Sequence, residues 1–404
     1  MTSAPLGLGL IGCGAFGAYV LDAVAGLPGL RVAAVADPDP RRAQPLGTRH
    51  GAAVRDGLDA LLARPDVDVV AVATPPHTHA DLSVRALRAG RHVFCEKPLA
   101  LTTADAARVS AEAHRSGRVL VVDHVLRYNP LLRAVETLMD EGLLERPRRF
   151  LFENDAADED LGSDHWFWDP ARSGGIFLEH GVHFFDAARA LLGSVPESVQ
   201  ATAVRRPGGP GGLVDMVAAD AVHPGGVLAG HFHSFTHAHR AERQLMRLDH
   251  GFAESLITGW IPTRATVTAW TDDRGADRWE RLPSRTTELF AVPGFPEGGE
   301  QRVSVRVERG AGGTAPVSGR GAVRTVPHRV ETVLDLGGET AKARVYAGSV
   351  RAAFAELLHC AAHGGTPAAD AHAGLTAVAV AVAATEAAAT GTARPVVLPE
   401  GGTP

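Results

Sequence analysis

From residue 6 to about 124 the chain alternates short apolar runs with segments of helical spacing. The apolar runs cover 6–11, 30–35, 67–73, 92–95 and 119–122, and helices are predicted near 16–27, 80–89 and 104–116. Runs without internal polar alternation, separated by helices, predict a parallel sheet buried on both faces, a doubly wound α/β unit. After Pro130 the pattern changes. A helix is predicted over 131–141, an extended run over 148–153, a polar, Trp-bearing loop as far as 172, and a helix over 176–192. Strand-like runs at 197–204, 213–219, 227–235, 263–270 and 301–308 then alternate with Gly and Pro. Such a succession predicts an antiparallel sheet with helices on one face, and the Gly-rich stretch 310–321 predicts a mobile loop. The last pattern, 348–388, reads as two Ala-rich helices separated by His363-Gly364-Gly365-Thr366-Pro367.

A chain of 404 residues is too long for one ordinary core. The expected division is a first domain over 1–125, an α+β domain over 126–345, and C-terminal helices over 346–404 that pack back towards the first domain. A net charge of −6 leaves no basic footprint for nucleic acid. Cys13, Cys95 and Cys360 lack metal or disulfide spacing, which fits a reducing compartment. The N-terminus shows no positive region or cleavage pattern, and the apolar stretch 375–389 carries Thr and Glu like a packed helix. The expectation is a soluble, cytoplasmic protein with no membrane partner.

Three stretches carry chemistry. In the first, Gly12-Cys13-Gly14-Ala15-Phe16-Gly17 follows a predicted strand and opens a helix, and Asp37 lies twenty residues beyond Gly17 at the end of the second strand. The glycines permit a tight turn and close approach of a pyrophosphate to the helix N-terminus, and the carboxylate accepts from a ribose hydroxyl. Asp37 repels a 2′-phosphate, so NAD is favoured over NADP, although Arg41 and Arg42 lie near enough to leave NADP open. In the second, Thr74-Pro75-Pro76-His77-Thr78-His79 ends the third strand, on the edge where open α/β sheets bind ligands. His77 and His79 are either cofactor contacts or loop and helix-start residues. Further on, Cys95-Glu96-Lys97-Pro98 holds one of only two lysines in a chain with 38 arginines. An ammonium is compact and shifts its pKa when desolvated, which a guanidinium does not, and Pro98 restricts the lysine to extended geometry. The third stretch runs from Ser173 to Asp186. On a continuous helix Glu179 and His183 share a face with Asp186 close by, so a carboxylate orienting an imidazole base and a solvated i, i+4 pair are both open.

Taken together, the glycine fingerprint, Glu96-Lys97-Pro98 and the Gly174-Gly175…Glu179…His183…Asp186 spacing resemble the glucose–fructose oxidoreductase / inositol dehydrogenase / rhizopine catabolism (Gfo/Idh/MocA) family. Leu126-Arg127-Tyr128-Asn129-Pro130 at the crossover and the Ala-rich C-terminal helices extend the resemblance over residues 5 to about 400. It implies an N-terminal Rossmann domain and a C-terminal α+β domain with a large, open, mostly antiparallel sheet that commonly mediates homodimers or homotetramers. It also implies NAD(P)-dependent hydride transfer between a nicotinamide and a secondary hydroxyl or ketone of a sugar, cyclitol or related polyol. The cofactor contacts are then Gly12, Gly14, Ala15, Phe16, Gly17, Asp37, Thr74, Pro75, His77, His79, Glu96 and Lys97. Lys97 matches the family's catalytic lysine, His183 its general base, and Glu179 its catalytic-region aspartate. Glu in place of Asp is a departure: its extra methylene either reaches a different substrate hydroxyl or holds His183 from a changed angle.

Besides Lys97, Glu179 and His183, the expected substrate contacts are Arg127, Tyr128, Asn154, His165 and Trp168, with Glu153, Trp166 and Arg172 as further candidates. The acidic run Asp155, Asp158, Glu159, Asp160 reads as a solvated loop. If 231–239 stays extended, His231, His233, His237 and His239 fall on one face. A metal site there lacks the accompanying carboxylates, and a polar sheet face at a subunit interface is the better reading. Two other functions fit the motifs: an enzyme that retains NAD and uses transient oxidation for elimination, epimerisation or glycoside hydrolysis, and a dinucleotide-binding sensor without turnover.

Overall fold

The computed structural model describes residues 4–157, 161–162, 164–206, 213–319 and 321–399. The first half is a six-stranded, all-parallel sheet in the order β3-β2-β1-β4-β5-β6. Its strands are β1 (Leu6–Ile11), β2 (Leu30–Ala36), β3 (Ala53–Arg55), β4 (Val69–Val72), β5 (His92–Cys95) and β6 (Leu120–Val122), joined by α1 (Ala15–Val24), α2 (Pro40–His50), α3 (Leu58–Leu62), α4 (His79–Arg88) and α5 (Thr103–Ser116). Every residue of β4 and β6 is buried, as the unbroken apolar runs require. The strand order reverses between β1 and β4, which opens a crevice at the carboxyl edge. The sequence pattern did not reveal α2, β3 or α3. Helix α2 carries Pro45 internally, and it forms because Asp39 caps its N-terminus and Gly51 closes it in the left-handed conformation.

The second half opens with α6 (Pro130–Asp140), capped by the Asn129 side chain. It is built on a ten-stranded sheet in the order β14-β17-β13-β12-β11-β7-β10-β9-β8-β18. The strands are β7 (Arg149–Asp155), β8 (Ser198–Arg205), β9 (Val214–His223), β10 (Val227–Ser234), β11 (Arg243–Asp249), β12 (Ala253–Thr258), β13 (Arg264–Thr271), β14 (Arg302–Glu308), β17 (His328–Asp335) and β18 (Arg394–Pro395). All neighbours pair antiparallel except β7 and β10, which are parallel. In the stretch expected to be a mobile loop, β15 (Val317–Gly319) and β16 (Ala322–Arg324) pair as a small hairpin. Strands β11, β12 and β17 were also not read from the sequence. Their outward positions hold charged or polar residues that pair across the sheet, as Arg264 does with Asp335 at 3.0 Å.

The helix expected over 176–192 divides. Phe177–Gly181 is a π-helical turn, and α8 (Val182–Leu192) continues from it after the short α7 (Pro170–Ser173). The extra residue in a π turn rotates everything before it relative to everything after it. Helix α8 is clamped to the sheet where Phe184 stacks on Phe152 of β7 at 3.5 Å between ring centroids. Short helix α9 (Asp273–Glu280) covers the end of the sheet at β13, β14 and β17, and α10 (Thr286–Leu289) packs against α6. The long helices α11 (Lys342–His363) and α12 (Ala371–Thr390) tie the two halves together. Phe354 of α11 stacks on Phe94 of β5, and Arg351 donates to the carbonyls of Ala25 and Gly26 at the end of α1. Helix α12 is long and apolar enough to cross a membrane by composition, but here it packs on α5 and β8 with most of its surface buried. Replacing Phe184 with Ala removes the clamp under α8, and large-to-small changes at such sites cost ~3–5 kcal/mol. Chemical denaturation should show that loss for Phe184→Ala and almost none for Val323→Ala on the exposed hairpin.

Candidate functional site

The turn from β1 to α1 is shaped by glycine for three different reasons. Gly12 has φ +97°, and a Cβ there would lie 2.3 Å from the Ala73 carbonyl oxygen. A Cβ on Gly17 would lie 2.0 Å from the Gly12 oxygen. Gly14 faces open space, with nothing within 4 Å of the added atom. As the N-cap of α1 it offers no side chain to the first free N–H groups, which leaves them for an anion. The Asp37 carboxylate accepts from the backbone N–H of Cys13 and of Asp39, each at 2.8 Å. That grip orders the loop and leaves lone pairs for ribose hydroxyls. Arg41 is turned away onto Asp39 at 2.9 Å. Ala15 and Phe16 begin α1, where Phe16 leans on Tyr19. The cradle fits a dinucleotide.

At the end of β4 the Thr74 and Thr78 hydroxyls bond at 2.6 Å around the Pro75-Pro76 turn. His77 is exposed. His79 needs a correction. It is buried, with Nδ1 2.7 Å from the Pro98 oxygen and Nε2 2.6 Å from the Thr74 oxygen, so both ring nitrogens are spent on the protein and none is left for a cofactor. It ties the loop after β4 to the loop after β5.

Lys97 leaves β5 ahead of a cis peptide bond to Pro98. Its Nζ donates to Glu179 Oε1 at 2.6 Å and to the Glu179 backbone oxygen at 2.7 Å. Both side chains are nearly buried, at 14% and 13% exposure. Burial opposes the ammonium, but the Glu179 charge and then that of Glu96 outweigh it, and the Lys97 pKa is raised. The expectation that Glu179 orients His183 therefore fails in this geometry: the π turn sends Glu179 to Lys97. Asp186 does not serve His183 either, because it accepts two bonds from Arg127, at 2.6 and 2.8 Å.

His183 is 5% exposed, and its Nδ1 is enclosed without a partner, whereas its Nε2 is not among the enclosed atoms. Burial, then the Lys97 charge, hold its pKa well below the ordinary value, so the ring is neutral near pH 7 and able to take a proton. Neighbouring groups that the sequence did not single out complete the surroundings. His124 stands edge-on at 6.4 Å between centroids, with burial pushing its pKa down to about 4. Trp260 lies 6.3 Å from His183 and 5.1 Å from Tyr346, which in turn lies 4.9 Å from Tyr19 of α1. Asp123 and His124 directly follow β6 at the carboxyl edge, so their place was readable. Trp260 and Tyr346 arrive from distant segments and gave no local signal.

Several expected substrate contacts are engaged in structure. Arg127 is held by Asp186, and Tyr128 is buried and donates to Glu356 at 2.6 Å. Asn154 is buried on the helix-facing side of β7 and bonds the Ser234 oxygen at 3.3 Å. Glu153 points to the opposite face of β7, within 3.7 Å of Arg243. Asp155 is a strand residue paired with Arg243 at 2.8 Å, and Asp158, Glu159 and Asp160 lie outside the described residues. His165 caps the turn Trp166–Trp168, Trp168 meets Phe235 edge-on at 6.1 Å, and Arg172 is exposed. The histidine tract stays extended only to Ser234, so His237 and His239 do not share the face of His231 and His233. Those two are buried under α8 and the π turn, not on an outer interface face, and His233 Nδ1 lies 3.0 Å from His180 Nδ1. Among the described residues no group of three or more His, Cys, Asp or Glu is placed to hold a metal ion.

The cradle yields a direct test. Gly14→Val adds atoms where the protein has none, so the melting temperature should hold while NAD affinity, measured by calorimetry, falls by ~10-fold or more, the equivalent of about 1.4 kcal/mol. Gly12→Ala should reduce both.

Residues 6–124 match a family model described as "Oxidoreductase family, NAD-binding Rossmann fold", and residues 132–250 match the GFO/IDH/MocA C-terminal domain. An inositol 2-dehydrogenase from Rhizobium meliloti (strain 1021) is 38% identical over 198 residues, 48% of this chain and 57% of that protein. A dTDP-3,4-didehydro-2,6-dideoxy-alpha-D-glucose 3-reductase from Actinomadura kijaniata is 34% identical over 198 residues, 49% of this chain and 59% of that one. The chain thus spans somewhat over half the length of these curated relatives. The solved structure of a levoglucosan dehydrogenase in complex with NADH superposes with a TM-score of 0.74 at 19% identity, covering 97% of this chain and 99% of that one, a likeness of fold. With both family models matched in order and the same architecture along nearly its whole length, the chain belongs to the Gfo/Idh/MocA oxidoreductase family.

Proposed function

We propose that the protein is an NAD-dependent oxidoreductase that interconverts a secondary hydroxyl and a ketone on a sugar, cyclitol or related polyol. The observation that carries the reading is that Lys97, buried at the carboxyl edge of the parallel sheet, bonds Glu179 four residues before His183, whose Nδ1 has no partner. Lys97 comes from the first half of the chain and His183 from the second, and the Lys97 charge is felt at His183. The names of the matched relatives, an inositol dehydrogenase and a deoxysugar reductase, support the substrate class. Asp37 at the end of β2, with Arg41 drawn off to Asp39, supports NAD over NADP.

When bound, the nicotinamide supplies the two-electron acceptor or donor. The remaining work falls to side chains of this protein. In the oxidative direction neutral His183 accepts the hydroxyl proton at Nε2. Lys97, held protonated by Glu179, donates to the same oxygen and stabilises the negative charge that gathers there. Glu179 fixes where the ammonium points. In the reverse direction imidazolium returns the proton.

The experiment is spectrophotometric turnover on a panel of polyols and their ketones with NAD or NADH. His183→Ala and Lys97→Met should each lower kcat by ~10²–10⁴, the range for general acid–base groups. Near-native turnover in either variant would overturn the assignment. Product formed with no net NADH would point to the enzyme type that retains its cofactor.

A further inference from the structure

Strands β5 and β6 are parallel neighbours in which Cys95 lies opposite Val122. The next residue of each, Glu96 and Asp123, therefore leaves the sheet side by side at the carboxyl edge. The Asp123 N–H donates to the Cys95 oxygen at 2.8 Å and the Glu96 N–H to the Val72 oxygen at 2.9 Å, which fixes both backbones. The Asp123 side chain is 1% exposed, and neither of its carboxylate oxygens receives a donor from the protein. Glu96 is 9% exposed, and the two carboxyl groups are within hydrogen-bonding reach of each other. Two carboxylates only accept, so no bond joins them unless one carries a proton.

We propose that Glu96 and Asp123 form a proton-sharing acid pair that keeps Lys97 an ammonium, which makes Asp123 a positioning residue for the amine. The idea deepens the role given to Lys97 above and rests on that reading for its catalytic meaning. Burial, then the Asp123 charge, push the Glu96 pKa well up, and burial pushes Asp123 up to about 6. Near pH 7 the pair therefore holds one proton between two carboxyl groups and carries a single negative charge. Lys97 bonds the Glu179 carboxyl group at 2.6 Å and feels the charge of the acid pair as well.

The other titratable groups around the amine do not oppose this. The imidazoles of His124, His180 and His183 feel Lys97, and burial holds each of them neutral; at His79 burial lowers the pKa while the Pro98 and Thr74 carbonyls oppose it. The phenols of Tyr19 on α1 and Tyr346 on α11 are pushed up by burial and then by the Asp123 charge, so they stay protonated. The imidazoles of His124, His180 and His183 and the two phenols therefore add no positive charge beside Lys97 near pH 7. Proton acceptance is left to His183, and Lys97 acts only as a donor.

The composition of the chain makes the test direct, because Lys97 and Lys342 are its only lysines. In protein labelled with ¹³C-lysine, Lys342→Arg assigns the two side-chain signals. The Lys97 signal should titrate above the ordinary lysine value of about 10.4. In the double variant Glu96→Gln/Asp123→Asn that midpoint should fall by about 1 or more on the pH scale, the effect of losing one opposite charge at close range, whereas each single variant leaves one carboxylate in place and should move it less. Infrared spectra at neutral pH should show a protonated carboxyl band that Glu96→Gln removes. An unchanged Lys97 midpoint in the folded double variant overturns the proposal, and so does absence of the carboxyl band in the wild type. If the double variant fails to fold, the wild-type infrared spectrum and the loss of its band in Glu96→Gln decide. Neither readout needs a substrate, so a protein that shows both effects yet oxidises no polyol would sink the oxidoreductase reading and leave the acid pair standing. Where turnover is found, the alkaline limb of kcat/KM should move down in the double variant, whereas a merely structural loss lowers activity at every pH and leaves the limb in place.

Discussion

The ion pair between Lys97 and Glu179 is the contact on which the site depends, because it joins an amine from the parallel sheet to a carboxylate from the π turn 82 residues later. Its value is not stability. Each buried ion gives up several kcal/mol of hydration, and apolar residues of similar volume commonly do as well or better. A buried pair kept at such expense makes sense where a charge must be held at one point, and here it is held twice, by the carboxylate and by the carbonyl of the same residue. The His79 brace to the Pro98 oxygen and the π turn both serve to place this one ammonium.

Around that charge the protein arranges groups that do not compete with it. Burial disfavours imidazolium, so the histidines on α8, the π turn and the β6 edge are kept neutral. A neutral His183 beside a cationic Lys97 separates the proton acceptor from the charge stabiliser, and the same low-dielectric setting strengthens both roles. The local expense shows in enclosed polar atoms without protein partners: Tyr19 O–H, both Asp123 oxygens, both His124 nitrogens and His183 Nδ1. Such groups are few in native proteins and tend to gather where function overrides packing.

What the sequence disclosed was local chemistry, and what it hid was long-range pairing. The fully buried strands β4 and β6, the glycine turn and Asp37 were legible because each rests on residues adjacent in the chain or at fixed short spacing. Lys97 was legible as an exception in an arginine-rich chain. The partners that engage Arg127 and Tyr128, Asp186 and Glu356, were not legible because they stand 59 and 228 residues away. The histidine tract was misread because period-two logic holds only while the strand lasts, and β10 ends at Ser234. Helical spacing also assumed an α-helix through residue 179, and a single π turn was enough to take Glu179 off the face of His183.

That turn also accounts for glutamate at position 179. In a π turn the backbone bonds are displaced by one residue, so a carbonyl in the turn is more readily left to an outside donor. The Glu179 oxygen takes that part, receiving the Lys97 ammonium at 2.7 Å. For the side chain of the same residue to reach the same Nζ, it must fold back past its own carbonyl, which takes length. The extra methylene of Glu over Asp supplies that length, and Oε1 closes on Nζ at 2.6 Å. The longer acid is therefore tied to the local backbone form: with an aspartate here, the ammonium would keep the carbonyl and lose the carboxylate unless the helix straightened to bring it closer. The length of Glu179 and the π turn are two parts of one solution to holding the lysine.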